Sequence, residues 1–273
     1  MIRPPAVAGS FYPSERATLE QEIDSFASTA EAVAPQRAIA CLVPHAGYIY
    51  SGHVAGAVYA RLELPKRILL LGPRHYPRGA RMAILSDGAW RTPLGDAALD
   101  SEFAAELKRQ FPSLVEDEVA HAREHAIEVQ LPFLQRILGA KKNTFRFTPI
   151  ALGPLRYEEL AALGGAIASA IRASREAVLL IVSSDMNHYE SDAITRVKDQ
   201  KVIDELLALN ARGLYDAVAR EQISMCGFGP AVATLTAARL LGATKAELVR
   251  YATSGDVNGD RSAVVGYAGI TIR

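Results

Sequence analysis

The chain has 273 residues, with 30 lysines and arginines balanced by 30 aspartates and glutamates. Roughly three quarters of the unfolded surface is buried when a chain this long folds, so one domain needs neither disulfides nor a structural metal to hold it together. Hydrophobic residues at 49% and charged residues at 22% exclude disorder, collagen-like repeats and coiled coils, and zero net charge without a basic block excludes a general nucleic-acid binder.

The opening MIRPPAVAGSFYPSE places two prolines where an export signal would run its apolar core. No later stretch reaches the roughly eighteen uninterrupted apolar residues of a membrane helix. The expectation is a cytoplasmic protein without membrane contact. From there the pattern predicts a helix over 18–30, a strand over 38–43 (AIACLV), a helix over 53–62, and strands over 67–72 (RILLLG) and 81–85. Helices follow over 101–111 and 127–138, a strand over 147–152 (FTPIAL), a helix over 157–174 and a strand over 177–182 (AVLLIV). Two more helices, 193–209 and 230–241, precede a closing strand over 262–272. Asp100 and Asp192 stand where helix N-caps stand. Strands apolar on both faces, alternating with helices, imply one α/β domain over residues 1–273: a mixed central β-sheet flanked by helices. Cys41 lies inside an apolar strand and reads as a buried thiol, and two cysteines make no disulfide framework.

Five of the six histidines fall in loops or at strand ends, where ligand sites of open α/β sheets form. His45, in PHAGYIYSG, follows AIACLV on a glycine-flanked turn; it reads equally as a group aimed into a crevice or as a turn histidine bonded to a carbonyl. His75, in GPRHYP, repeats the arrangement after RILLL, and Arg74 beside it is either a bidentate anion contact or a solvated charge. His121 and His125 are four apart, but Pro132 suggests that the helix starts only after His125, which weakens a shared-face argument. In SSDMNHYE, Asp185 and His188 close the strand AVLLIV with more polarity than a core accepts; either the carboxylate orients a histidine for proton transfer, the favoured reading, or Asp185 caps the next helix and His188 is exposed. Cys226, in MCGFGP ahead of a helix, is either a small buried thiol or a thiolate favoured by the helix dipole. The stretch 254–260 lacks the glycine and glutamate of a calcium loop and reads as a surface turn.

RPPAVAGSFYP, PHAGYIYSG, LGPRHY, RTPLGD, EHAIEVQLPFL, SSDMNHYE, MCGFGP and VGYAGI, taken together and in order, resemble the Memo family, the mediator-of-cell-motility proteins and their prokaryotic relatives, also called AmmeMemoRadiSam system protein B. The resemblance implies a fold like that of the class III (LigB) extradiol dioxygenases. It implies a metal pocket of His45, His75 and Cys226, with Asp185 and His188 lining it and His125 as a further pocket residue. Extradiol dioxygenases hold Fe(II) with two histidines and a carboxylate. A cysteine in the third place shifts preference toward copper, zinc or a differently tuned iron, and puts dioxygenase activity in question.

The expectation from this resemblance is a protein binding iron or copper, with zinc possible, and capable of redox chemistry, in which His188 moves a proton, Asp185 orients it and His125 assists. Two alternatives stand beside it. One is a non-catalytic module binding a peptide or small ligand, with Arg74, Tyr48 and Tyr50 near the mouth; the other is a zinc hydrolase. The second family label implies a functional link to radical-SAM and AMMECR-type proteins.

Overall fold

The computed structural model describes residues 1–28, 34–140 and 144–273. Twelve strands form one mixed sheet among these residues. In chain order they are β1 (Ile2–Arg3), β2 (Ala40–Val43), β3 (Arg67–Pro73), β4 (Met82–Ile84), β5 (Ala89–Thr92), β6 (Gly95–Leu99), β7 (Val115–Glu116), β8 (Arg146–Leu152), β9 (Val178–Ser183), β10 (His188–Glu190), β11 (Ala246–Thr253) and β12 (Val264–Ile272). The helices are α1 (Arg16–Ser28), α2 (Tyr48–Ala60), α3 (Ser101–Gln110), α4 (Glu118–Ala122), α5 (Leu131–Ala140), α6 (Tyr157–Ala173), α7 (Asp192–Leu207), α8 (Ala211–Glu221), α9 (Phe228–Leu240) and α10 (Gly255–Asn258), with a 3-10 turn at Glu128–Gln130.

The centre of the sheet runs β8-β3-β9-β2, all parallel, with β12 joined antiparallel to β2. Parallel pairing requires crossover helices, and these cover both faces. Side-chain alternation assigns the two cores: Leu42, Leu69, Leu71, Leu180 and Val182 face α3, α6, α7, α8 and α9. Cys41, Val43, Ile68, Leu70, Leu179 and Ile181 face α1, α2 and α5 on the other side. This double burial is why the central strands read as continuous apolar runs. It also turns the carboxyl ends of β2, β3 and β9 toward one edge of the molecule.

The predicted strands and long helices are present, with boundaries moved by a few residues. Residues 29 and 30 of the predicted first helix lie outside the described residues. Asp100 caps α3, its side chain accepting from Phe103 N. Asp192 does not cap α7: Ser191 holds that place, and Asp192, as the first helical residue, takes Arg196, Arg261 and Thr253 instead. The stretch 254–260 contains the short helix α10 rather than a plain turn, with Asp256 accepting from Thr253 N. Cys41 is buried in β2, as expected. No described helix is long and apolar enough to cross a membrane.

Candidate metal centre

Each loop at this edge begins where an apolar strand ends. His45 stands two residues after β2, His75 two after β3, and Asp185 two after β9. His125 comes from the segment between α4 and the 3-10 turn. The ligand atoms of His45, His75 and His125 all lie within 4.8 Å of one another, a spacing that could hold a metal ion. His45 is buried, His125 half-buried and His75 exposed, so the cluster runs from the interior to the surface. The His75 and His125 rings stack at 4.6 Å, and both stand edge-on to His45.

Hydrogen bonding settles which nitrogen carries the proton on two of the three rings. Ser183 Oγ donates its one hydrogen to the Ala126 carbonyl (2.6 Å) and accepts from Gln130 Nε2 (2.9 Å). It can therefore only accept from His45 Nδ1, 2.9 Å away, which leaves the lone pair on His45 Nε2. His75 Nδ1 donates to Glu124 Oε1 at 2.8 Å, and its backbone N–H donates to Oε2 at 2.6 Å. That carboxylate is buried and also accepts from Ala126 N. A histidine whose far nitrogen donates to a carboxylate is oriented for metal ligation.

The charges follow from these partners. Burial, reinforced by the neighbouring His75, lowers the His45 pKa to about 3. Burial and His45 lower His125 to about 4. Burial opposes protonation of His75 too, but the hydrogen bond and charge of Glu124 outweigh it and the pKa is raised. Burial pushes Glu124 up, yet His75 and backbone donors hold it at about 2. Two imidazoles that resist protonation beside a third backed by a carboxylate form a donor set that a cation fits.

Cys226 Sγ lies 3.3 Å from His45 Nε2 and accepts from Asp185 N at 3.3 Å. Its thiol pKa is pushed up by burial and by Asp185, so the thiolate expected at a helix N-terminus is not favoured here without a cation. Gly227 admits the close approach of this loop: a Cβ there would stand 2.5 Å from Ser184 Cβ. Asp185 Oδ1 accepts from His45 N (2.7 Å) and Ala46 N (3.3 Å), holding the His45 turn, and burial raises its pKa. His188 instead donates from Nδ1 to the Ser224 carbonyl at 2.9 Å. Asn187 Oδ1 accepts from Ser224 N and Oγ, tying the His188 loop to the Cys226 loop.

The family resemblance implied Cys226 with His45 and His75 and gave His125 a supporting role; the structure groups His125 with the two histidines and sets Cys226 against His45. His121 belongs elsewhere. It lies in the last turn of α4, is fully buried against Trp90, and its pKa falls to about 4 chiefly through burial. Tyr48 is not at a mouth either: it is buried and donates to the Val129 carbonyl. The sequence reading did not identify Glu124, Gln130 or Phe11, whose ring packs 4.7 Å from His125. Phe11 is held there by a chain of contacts: buried Glu128 accepts from Arg3, Ala6 N, Val7 N and Tyr12, pinning the N-terminal segment.

A family model described as "Memo-like protein" matches residues 3–271. A MEMO1 family protein from Methanopyrus kandleri is 41% identical, covering 100% of this chain and 99% of its own. Another from Methanocaldococcus jannaschii is 43% identical over 98% and 97%, and one from Aquifex aeolicus 40% identical over 98% and 98%. The crystal structure of an uncharacterized protein from Escherichia coli K12 matches with a TM-score of 0.56 at 11% identity, covering 85% of this chain and 99% of that one. At that identity the likeness speaks for the fold alone.

Proposed function

The chain belongs to the Memo-like protein family, and from that premise we propose that it holds one transition-metal ion among His45, His75, His125 and Cys226 and acts with it on a small molecule. The observation that carries the reading is the convergence of three imidazoles, two of them with Nδ1 committed and Nε2 left as donor. Imidazoles beside a thiol suit iron, copper or zinc, and the redox character of the reading rests on iron or copper. The fold belongs to the same reading as one like that of the class III extradiol dioxygenases, although a cysteine beside the histidines argues against simple catechol cleavage.

The ion would supply Lewis acidity or one-electron chemistry to a bound substrate. The chain supplies the rest. Ser183 and Glu124 fix two imidazoles, and Asp185 fixes the turn that carries His45. His188, with Nδ1 committed to the Ser224 carbonyl, keeps Nε2 to accept a proton from a substrate hydroxyl. Phe11 covers the His125 ring and excludes water from that side.

The test is elemental mass spectrometry on protein purified anaerobically without a histidine tag, alongside His45→Ala and Cys226→Ser. The reading expects near-stoichiometric iron or copper, almost none in His45→Ala and clearly less in Cys226→Ser. Unchanged metal content in both variants overturns it. Oxygen uptake with catechols and other phenols then separates turnover from mere binding.

A further inference from the structure

We propose that Arg74 forms an anchor for a carboxylate group, placed to hold the small molecule on which the metal centre acts. The inference rests on the proposed function for its location, but not for its chemistry.

Arg74 and His75 are consecutive at the carboxyl end of β3, and Arg74 N extends the strand pairing to the Leu152 carbonyl at 2.9 Å. Neighbouring side chains of an extended segment diverge. His75 turns to Glu124, while Arg74 packs beside Gly153 at the end of β8. There Arg74 Nη1 is committed to backbone carbonyls, those of Gly79, Ala80 (3.1 Å) and Arg78 (3.4 Å). Its Nε is buried and has no hydrogen-bond partner among the described residues. Buried donors are nearly always paired, so an unpaired guanidinium N–H marks a place prepared for an acceptor.

A cavity lies beside Arg74. It measures about 110 Å³ and is lined by Pro73, Arg74, Gly153, Cys226, Phe228 and Gly229 among others, and no acidic side chain is among its lining residues. A Cβ on Gly153 would stand 3.2 Å from Arg74 Nη2 and 3.4 Å from Nε, so a side chain there would press on the guanidinium edge that can donate two parallel hydrogen bonds. A planar carboxylate matches that edge. The first turn of α9 also borders the cavity and favours an anion there. Another wall is Cys226, whose sulfur is 3.3 Å from His45 Nε2. Cys226 is thus the residue that the cavity shares with the metal centre, and the three histidines lie beyond it.

The test titrates benzoate, its neutral counterpart benzamide and inorganic phosphate by calorimetry into the protein as purified and after chelation. The same titrations are made on Arg74→Gln and Gly153→Ala. Gly153→Ala retains the contacts of Arg74 with residues 78–80, so it stands if Arg74→Gln fails to fold. The expected result is benzoate binding in both preparations, at least tenfold weaker with benzamide and at least tenfold weaker in either variant, with metal content unchanged. Equal binding of benzoate and benzamide, benzoate affinity unchanged in Gly153→Ala, or phosphate bound more tightly than benzoate overturns the proposal. Arg74-dependent benzoate binding in a protein that retains no metal would sink the metal reading and leave the anchor standing. Stoichiometric metal with benzoate binding indifferent to both variants would do the reverse.

Discussion

His45 and His75 arise from one sequence pattern, a buried parallel strand followed by a proline and then an imidazole, yet the fold treats them differently. His45 is buried, and its Nδ1 proton meets the neutral hydroxyl of Ser183. His75 is at the surface, and its Nδ1 proton meets the buried carboxylate of Glu124. Burial drives the first pKa down to about 3; the carboxylate overrides burial and raises the second. The residue on the far side of the ring, more than the ring's own position, decides how basic each donor is. One imidazole thus stays neutral across the physiological range, while the other has behind it the negative charge that a cation would favour.

The largest expected effect tests what the two share. His45→Ala and His75→Ala should each reduce bound metal to less than about a tenth of wild type by elemental analysis, since loss of either leaves too few donors. Retention of metal in one of them would split the pair. The next effect tests where they differ. Glu124→Gln should weaken metal affinity by about 10–100-fold in a competition titration with a chromophoric chelator, and Ser183→Ala by less. Ser183→Ala should instead lower stability to urea by about 1–3 kcal/mol, because the Ala126 carbonyl and Gln130 Nε2 lose a buried partner. Equal effects of the two variants on affinity would erase the contrast.

The smallest effect concerns a carboxylate supported by arginine rather than histidine. Asp192 is held at about 2, first by Arg196 and then by Thr253 and Arg261, against an ordinary value of 3.8. A lowered folded-state pKa gives stability that is present above the unfolded value and lost as pH falls from about 4 through about 2. Asp192→Asn should therefore cost on the order of 1 kcal/mol at pH 7 after screening by solvent, and the difference should shrink toward zero near pH 2. A pH-independent difference in urea melts would show that the pair contributes through packing alone.

Much of the fold was readable because the central strands are apolar on both faces, and the loops carrying His45, His75 and Asp185 begin where those runs stop. The peripheral strands were not. β5, β6 and β10 are short and partly exposed; β5 and β6 form a local hairpin, but their attachment to β1 and β8, and that of β10 to β12, joins partners distant in sequence. Within the site, residue types were legible and their grouping was not. Glu124 reaches His75 across 49 residues, a relation with no local spacing to betray it. The spacing of His121 and His125 invited a shared helical face that Pro132 already weakened; α4 ends at Ala122, so one ring meets Trp90 and the other the cluster. Cys226 was visible as a thiol ahead of a helix; that burial and Asp185 would suppress its thiolate depends on a loop forty residues away.

The most direct test is anomalous diffraction at the metal absorption edge from crystals of the anaerobically purified protein. The account predicts one strong peak within about 2.0–2.3 Å of His45 Nε2 and His75 Nε2, the range of metal bonds to nitrogen and sulfur, with His125 or Cys226 in the same shell. A map without a peak at these histidines, or with its metal held elsewhere on the chain, would contradict it.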